Sequence, residues 1–125
     1  MVADTWKNFD TTHIQSLANG PRFWDNPSER ICPACGARCL RAYMETSARS
    51  GHPALINNIW CTSCHRFGGA TGPKPTDLEF TDPLEQLSDD ERLELQEDVG
   101  RFFGYLDRLW SKGALPQRFL KTPQL

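Results

Sequence analysis

Four cysteines arrive as two matched pairs. They are Cys32-Pro33-Ala34-Cys35 and Cys61-Thr62-Ser63-Cys64, with 25 residues from Gly36 to Trp60 between them. Two residues between the thiols let the backbone turn back, so that both sulfurs of a pair reach one ion. Two such pairs make a four-thiolate cage for a tetrahedral metal. Zinc is the default occupant, because it takes sulfur ligands and imposes no redox demand. Gly36 follows the first pair, where a positive φ suits glycine. The competing reading is a disulfide pair, or unrelated buried cysteines. The N-terminal residues 1–7 have neither a basic start nor an apolar run, so the expectation is a cytoplasmic, reducing location in which thiols stay free for metal. The remaining cysteine, Cys39, reads as a small buried apolar residue. His52 and His65 are possible donors but are expected not to coordinate.

A shell closed by Cys32, Cys35, Cys61 and Cys64 leaves no open position for substrate, so the expected role of the Zn2+ is structural. Deaminase-like zinc sites need a His-x-Glu beside their Cys-x-x-Cys. Here His13, His52 and His65 are followed two positions later by Gln15, Ala54 and Phe67. A phosphate-binding G-x-x-x-x-G-K-[ST] loop is absent, as is a G-x-S-x-G nucleophile elbow. Asp89-Asp90-Glu91 has the composition of a magnesium site, but at a helix start these side chains diverge and read as capping and solvated charge. The expectation is therefore a chain without catalytic residues.

The net charge of −2 conceals a strong asymmetry. Residues 30–75 carry six basic side chains against Glu45, whereas residues 76–100 carry ten acids against Arg92 alone. Two partners follow from this. The acidic stretch, with Glu85, Asp89, Asp90 and Glu94 at its centre, would steer a basic partner protein such as a toxin or an enzyme. The alternative is nucleic acid, with Arg38, Arg41, Arg49 and Arg66 on phosphates and Tyr43 or Phe67 stacking. The acidic neighbour opposes that alternative. Bacterial immunity proteins have a similar size and charge, an analogy of class rather than motif. No apolar run approaches the ~20 residues a membrane-spanning helix needs.

The elements that must position these groups can be read in outline. Residues 1–29 form an aromatic-rich segment, with Trp6, Phe9, Phe23 and Trp24 expected to pack under the rest and a short helix expected over 12–18. Leu40, Ala42 and Met44 alternate with Arg41, Tyr43 and Glu45, the pattern of a strand with one buried face. A loop over 46–54 and a return strand over 55–60 deliver Cys61. His65-Arg66-Phe67 reads as a short third strand, broken by Gly68-Gly69. Residues 69–81 read as a connector. In 82–125, Ser88-Asp89-Asp90-Glu91 is a capping box. Beyond it Leu95, Val99, Phe102, Phe103, Leu106, Leu109 and Trp110 form one apolar stripe, stopped by Gly113. Gly100 and Gly104 flank the stripe, where another backbone could approach.

Knuckle, strand, loop, strand, knuckle, strand is the layout of the zinc-ribbon family. Over residues 30–68 the chain resembles that family, on Cys32, Cys35, Cys61 and Cys64 with Pro33 and Gly36. The resemblance implies a three-stranded antiparallel sheet. Ribbons of the transcription-elongation type carry an acidic pair at the hairpin tip, where this chain has Arg49 and His52, so that activity is not implied. Rubredoxins are similar at the knuckles and use iron, but this chain is far longer than that chemistry requires. The expected fold is a small α+β protein: a four-cysteine zinc ribbon packed with a long C-terminal amphipathic helix and a short N-terminal helix. The expected function is a non-enzymatic binding module, an inhibitor or adaptor.

Overall fold

The computed structural model describes residues 6–49 and 52–121. Its elements in chain order are β1 (Lys7–Asn8), α1 (Thr11–Ala18), β2 (Leu40–Arg49), β3 (His52–Cys61), β4 (Arg66–Pro73), β5 (Glu79–Phe80), α2 (Asp89–Gln96), α3 (Val99–Ser111) and β6 (Phe119–Lys121). The first four strands build one sheet in the order β1-β4-β3-β2, and β5 pairs with β6 in a separate two-stranded sheet.

The sheet differs from a three-stranded antiparallel ribbon. β2, β3 and β4 are antiparallel, but β1 adds in parallel, with Lys7 opposite Arg66 and Asn8 opposite Phe67. β4 also does not stop at Gly68-Gly69. It runs to Pro73 in unbroken register, through part of the expected connector. Both glycines are used for close approach. A side-chain carbon on Gly68 would lie 2.8 Å from Cδ1 of Ile14 in α1, and one on Gly69 would meet the backbone carbonyl of Asn57.

Both faces of the sheet are covered, where the alternation in β2 suggests one. Leu40, Met44, Leu55, Ile59 and Cys61 pack under Phe9, Phe23, α1 and Trp24. On the other face Tyr43 and Trp60, each fully buried, pack against Phe102, Phe103 and Leu106 of α3. Trp6 joins this second layer by stacking on His65 at 4.6 Å and reaching Phe103 at 5.1 Å. The N-terminal aromatics are therefore core, as their density suggests.

The single C-terminal helix is in fact two. Ser88 caps α2 as expected, its hydroxyl accepting from the Glu91 N–H while the Glu91 carboxylate accepts from the Ser88 N–H. At Asp98 the backbone turns extended, and its carboxylate accepts from the Arg101 N–H to start α3 afresh. A short acidic residue that can cap competes with helix propagation, and here the new start lets α3 lie on the sheet. Gly113 ends α3 at a φ of +83°. Among the described residues the nearest atoms to the flanking glycines belong to side chains, Asp98 and the Trp6 ring at Gly100 and Arg108 at Gly104. Among the described residues no helix is long and apolar enough to cross a membrane.

Candidate metal centre

Two turns of the same design hold the four thiols. Cys32-Pro33-Ala34-Cys35 precedes β2, and Cys61 ends β3. In the first, the Gly36 N–H donates to the Cys32 carbonyl at 2.9 Å; in the second, the His65 N–H donates to the Cys61 carbonyl at 3.0 Å. Each turn closes with a left-handed residue, Gly36 at φ +78° and His65 at φ +58°. His65 breaks the glycine rule at this position, although histidine tolerates the conformation better than most residues. Its ring stacks on Trp6, which holds it in place.

The sulfurs converge. All four Sγ atoms lie within 4.8 Å of one another. Cys32 and Cys64 are separated by 3.8 Å, and Cys35 and Cys61 by 3.7 Å. A zinc–sulfur bond of about 2.3 Å at the centre of a regular tetrahedron requires sulfur edges of about 3.8 Å. A disulfide requires about 2.05 Å, and all five cysteines are free thiols. Backbone N–H groups point at the sulfurs: Ala34 at Cys32, and Ser63 and Cys64 at Cys61, each at 3.4 Å. Such donors favour the thiolate. At Cys35 the Ala37 N–H is the main cause that holds the thiol below its ordinary pKa. Burial pushes Cys61 and Cys64 the other way. Without an ion, burying the charge at Cys61 is unfavourable; a dication at the centre would reverse that balance. The donor set and the spacing thus fit a metal ion with a closed sulfur shell.

Cys39 and His65 stand outside this group, and the His52 side chain lies outside the described residues. Cys39 is half-buried against the core on the α1 side. Its carbonyl accepts from the Thr62 N–H at 3.1 Å, which ties the start of β2 to the second knuckle.

α3 braces the same knuckle from the other face. One oxygen of Asp107 accepts from Arg41 and from the Trp60 indole, each at 2.8 Å, and the other accepts from Thr62 at 3.1 Å. The Arg41 guanidinium also binds Glu29 at 2.9 Å and lies 5.0 Å from the Trp110 ring centre. Arg41 is therefore held by internal partners on both sides, its side chain 15% exposed. Arg66 lies 3.9 Å from Asp10, Arg38 is exposed, and the Arg49 side chain lies outside the described residues. Arg38 reaches the same Glu29 as Arg41, through its backbone carbonyl at 3.4 Å.

The acidic residues sort into two classes. Glu85, Asp89, Asp90 and Glu94 are all exposed. Asp82 faces inward, as does Arg92, the lone base of that stretch. Arg92 donates to the Tyr43 hydroxyl at 2.7 Å and meets Glu45 and Asp82 at 3.1 Å each. Tyr43 in turn donates to Asp82 at 2.6 Å. Glu45 is completed by Asn58 at 2.9 Å and Gln96 at 3.0 Å. Burial and the neighbouring Asp82 push the Tyr43 phenol far above its ordinary pKa. Sequence reading missed this cluster, because Tyr43 and Glu45 fall on the strand face that looked solvated. The signal that could have found it was an amphipathic helix needing a second sheet face to cover. Compared with protein-family models, curated proteins and solved structures, the chain gives no match.

Proposed function

We propose that this chain is a zinc-stapled, non-enzymatic binding module that captures a basic protein partner on its acidic helical surface, as an inhibitor or adaptor does. The metal is zinc, its role is structural, and Cys32, Cys35, Cys61 and Cys64 hold it. The observation that carries the reading is the inward turn of Arg92. With its guanidinium bound to Glu45 and Asp82, the exposed carboxylates of Glu85, Asp89, Asp90, Glu91 and Glu94 have no internal base among the residues of α2. Fields of this kind raise the rate of encounter with an oppositely charged partner.

A groove of about 520 Å³ between α2 and α3 gives that surface relief, with Glu91 and Glu94 on the α2 wall and Arg101, Tyr105 and Arg108 on the α3 wall. It suits an inserted side chain of the partner, with the exposed acids forming the charged rim.

The test is affinity purification of the tagged chain from its native cell, followed by kinetics with whatever co-elutes. A basic protein is expected. Reversing Glu85, Asp89, Asp90 and Glu94 to lysine should slow association with it at low salt and leave wild-type and variant rates converging at high salt. Equal on-rates at low salt would refute steering. Co-elution of RNA in place of protein would transfer the function to the nucleic-acid alternative.

A further inference from the structure

The sheet has two edges, and the chain treats them differently. The β2 edge is covered at two points. Arg30 and Leu40 exchange backbone hydrogen bonds at 3.0 Å. Further along, the side chain of Gln117 stands in for a strand. Its carbonyl accepts from the Met44 N–H at 2.7 Å, and its amide donates to the Met44 carbonyl at 2.7 Å. Gln117 is 4% exposed, the one fully polar buried side chain among the described residues.

At the β4 edge, β1 covers Arg66 and Phe67 only. Beyond Phe67 no strand among the described residues pairs with the outer side of β4. The hydrogen bonds at its two ends reveal which backbone groups face out. Phe67 accepts on its outer side, from the Phe9 N–H at 2.8 Å, and the Lys74 N–H points inward, to the Pro53 carbonyl at 3.1 Å. Pairing with β3 holds unbroken register from Phe67 to Pro73. Alternation by two along the strand then places the N–H and C=O of Gly69 and of Thr71, with the Pro73 carbonyl, on the outer side. Gly69, Ala70 and Thr71 are exposed.

Natural edges of this kind are blunted by lysine, by inward charge or by a bulge. This one has none of those between Phe67 and Pro73. Instead a groove flanks it on each face of the sheet. One, of about 470 Å³, is walled by Ile56, Asn58, Val99 and Phe102. The other, of about 550 Å³, is walled by Trp24, Arg22, Leu55 and Pro75. Ala70 and Thr71 line both.

From this edge we infer that β4 is a docking site for an extended peptide segment of a partner, which adds to the sheet as a further strand. Main-chain bonds to Gly69 and Thr71 supply affinity, and successive side chains fall alternately into the two grooves. The occupant is an extended segment without proline, carrying apolar or aromatic residues toward Val99 and Phe102 on one face and toward Trp24 and Leu55 on the other. A second copy of this edge is a poorer occupant, since its own Gly69, Ala70 and Thr71 would leave both grooves unfilled. This site stands independently of the acidic surface.

The probe is a random decapeptide library displayed on phage, panned on the full-length chain. Selected peptides should share an apolar, proline-free run. Thr71→Pro removes one outward N–H and leaves the β3 ladder whole, because proline is tolerated where its nitrogen faces solvent. It should weaken the selected peptides by about tenfold or more, the worth of a lost bond plus the ring's steric block. Should the variant fail to fold, the same selected peptide methylated at alternate backbone nitrogens takes its place, and one of the two methylation registers should lose binding. A library without binders, or binders indifferent to both changes, overturns the proposal. A dimer of the free chain that Thr71→Pro dissociates also overturns it, in favour of self-pairing.

Discussion

Replacing Cys61 with serine is the sharpest perturbation of the sulfur cage. Structural zinc in small modules binds with about 10–16 kcal/mol. A folded chain of this size has a total stability of roughly 6–19 kcal/mol. The two are comparable, so on the proposed zinc reading the staple should decide whether the rest stays folded. Losing one of four ligands, if each carries an equal share, removes about a quarter of the binding term, roughly 2.5–4 kcal/mol. At Cys61 there is a second cost. The residue is fully buried at the end of β3, opposite Leu40. A serine oxygen there still accepts from the Ser63 and Cys64 N–H groups, but its own hydroxyl proton is buried without a matched acceptor, which costs about 1–3 kcal/mol more. Cys35 is exposed, so Cys35→Ser should lose only the ligand term. The expected order in urea denaturation, followed by tryptophan fluorescence with metal present, is wild type, then Cys35→Ser, then Cys61→Ser. The last should be largely unfolded at room temperature, and a chelator should collapse the wild type toward it. Elemental analysis should find one zinc per wild-type chain. Coincident unfolding curves for wild type and Cys61→Ser, unmoved by chelator, would refute the staple.

Two further outcomes test the braces around the site. Asp107→Ala leaves the Trp60 N–H without its acceptor in a fully buried ring and strips one partner from Arg41; it should cost about 2–4 kcal/mol in urea denaturation, against less than half that for Asp107→Asn. The Tyr43 phenol is held neutral by burial, with a folded pKa above the unfolded value of about 10. The folded chain therefore keeps that proton longer than the unfolded one. Stability should be unaffected by this group below about pH 10 and fall above it, by about 1.4 kcal/mol per pH unit. Tyr43→Phe should remove that slope, and equal alkaline slopes in the two proteins would contradict the assignment.

The cage was legible because metal chemistry is local. Two Cys-x-x-Cys turns each prepare a pair of sulfurs within a few residues, and only the meeting of the pairs needs the fold. The capping box at Ser88 and the stop at Gly113 were legible for the same reason, since each satisfies backbone groups within one turn. What lay beyond the reach of the pattern was pairing over long separations. Alternation in β2 marks two faces but cannot say that both are covered, so Arg41, Tyr43 and Glu45 looked solvated until the distant α2 and α3 were laid across them. The restart at Asp98 depends on where the sheet is, because propagation and recapping are close in energy and packing chooses between them. The run of glycines in β4 has the composition of a linker. Only a partner strand on one side, with Ile14 and Asn57 pressed against it, makes that run an ordered edge. Local chemistry decided the sulfur site, and tertiary contact decided which charged groups face inward and which sheet edge stays open.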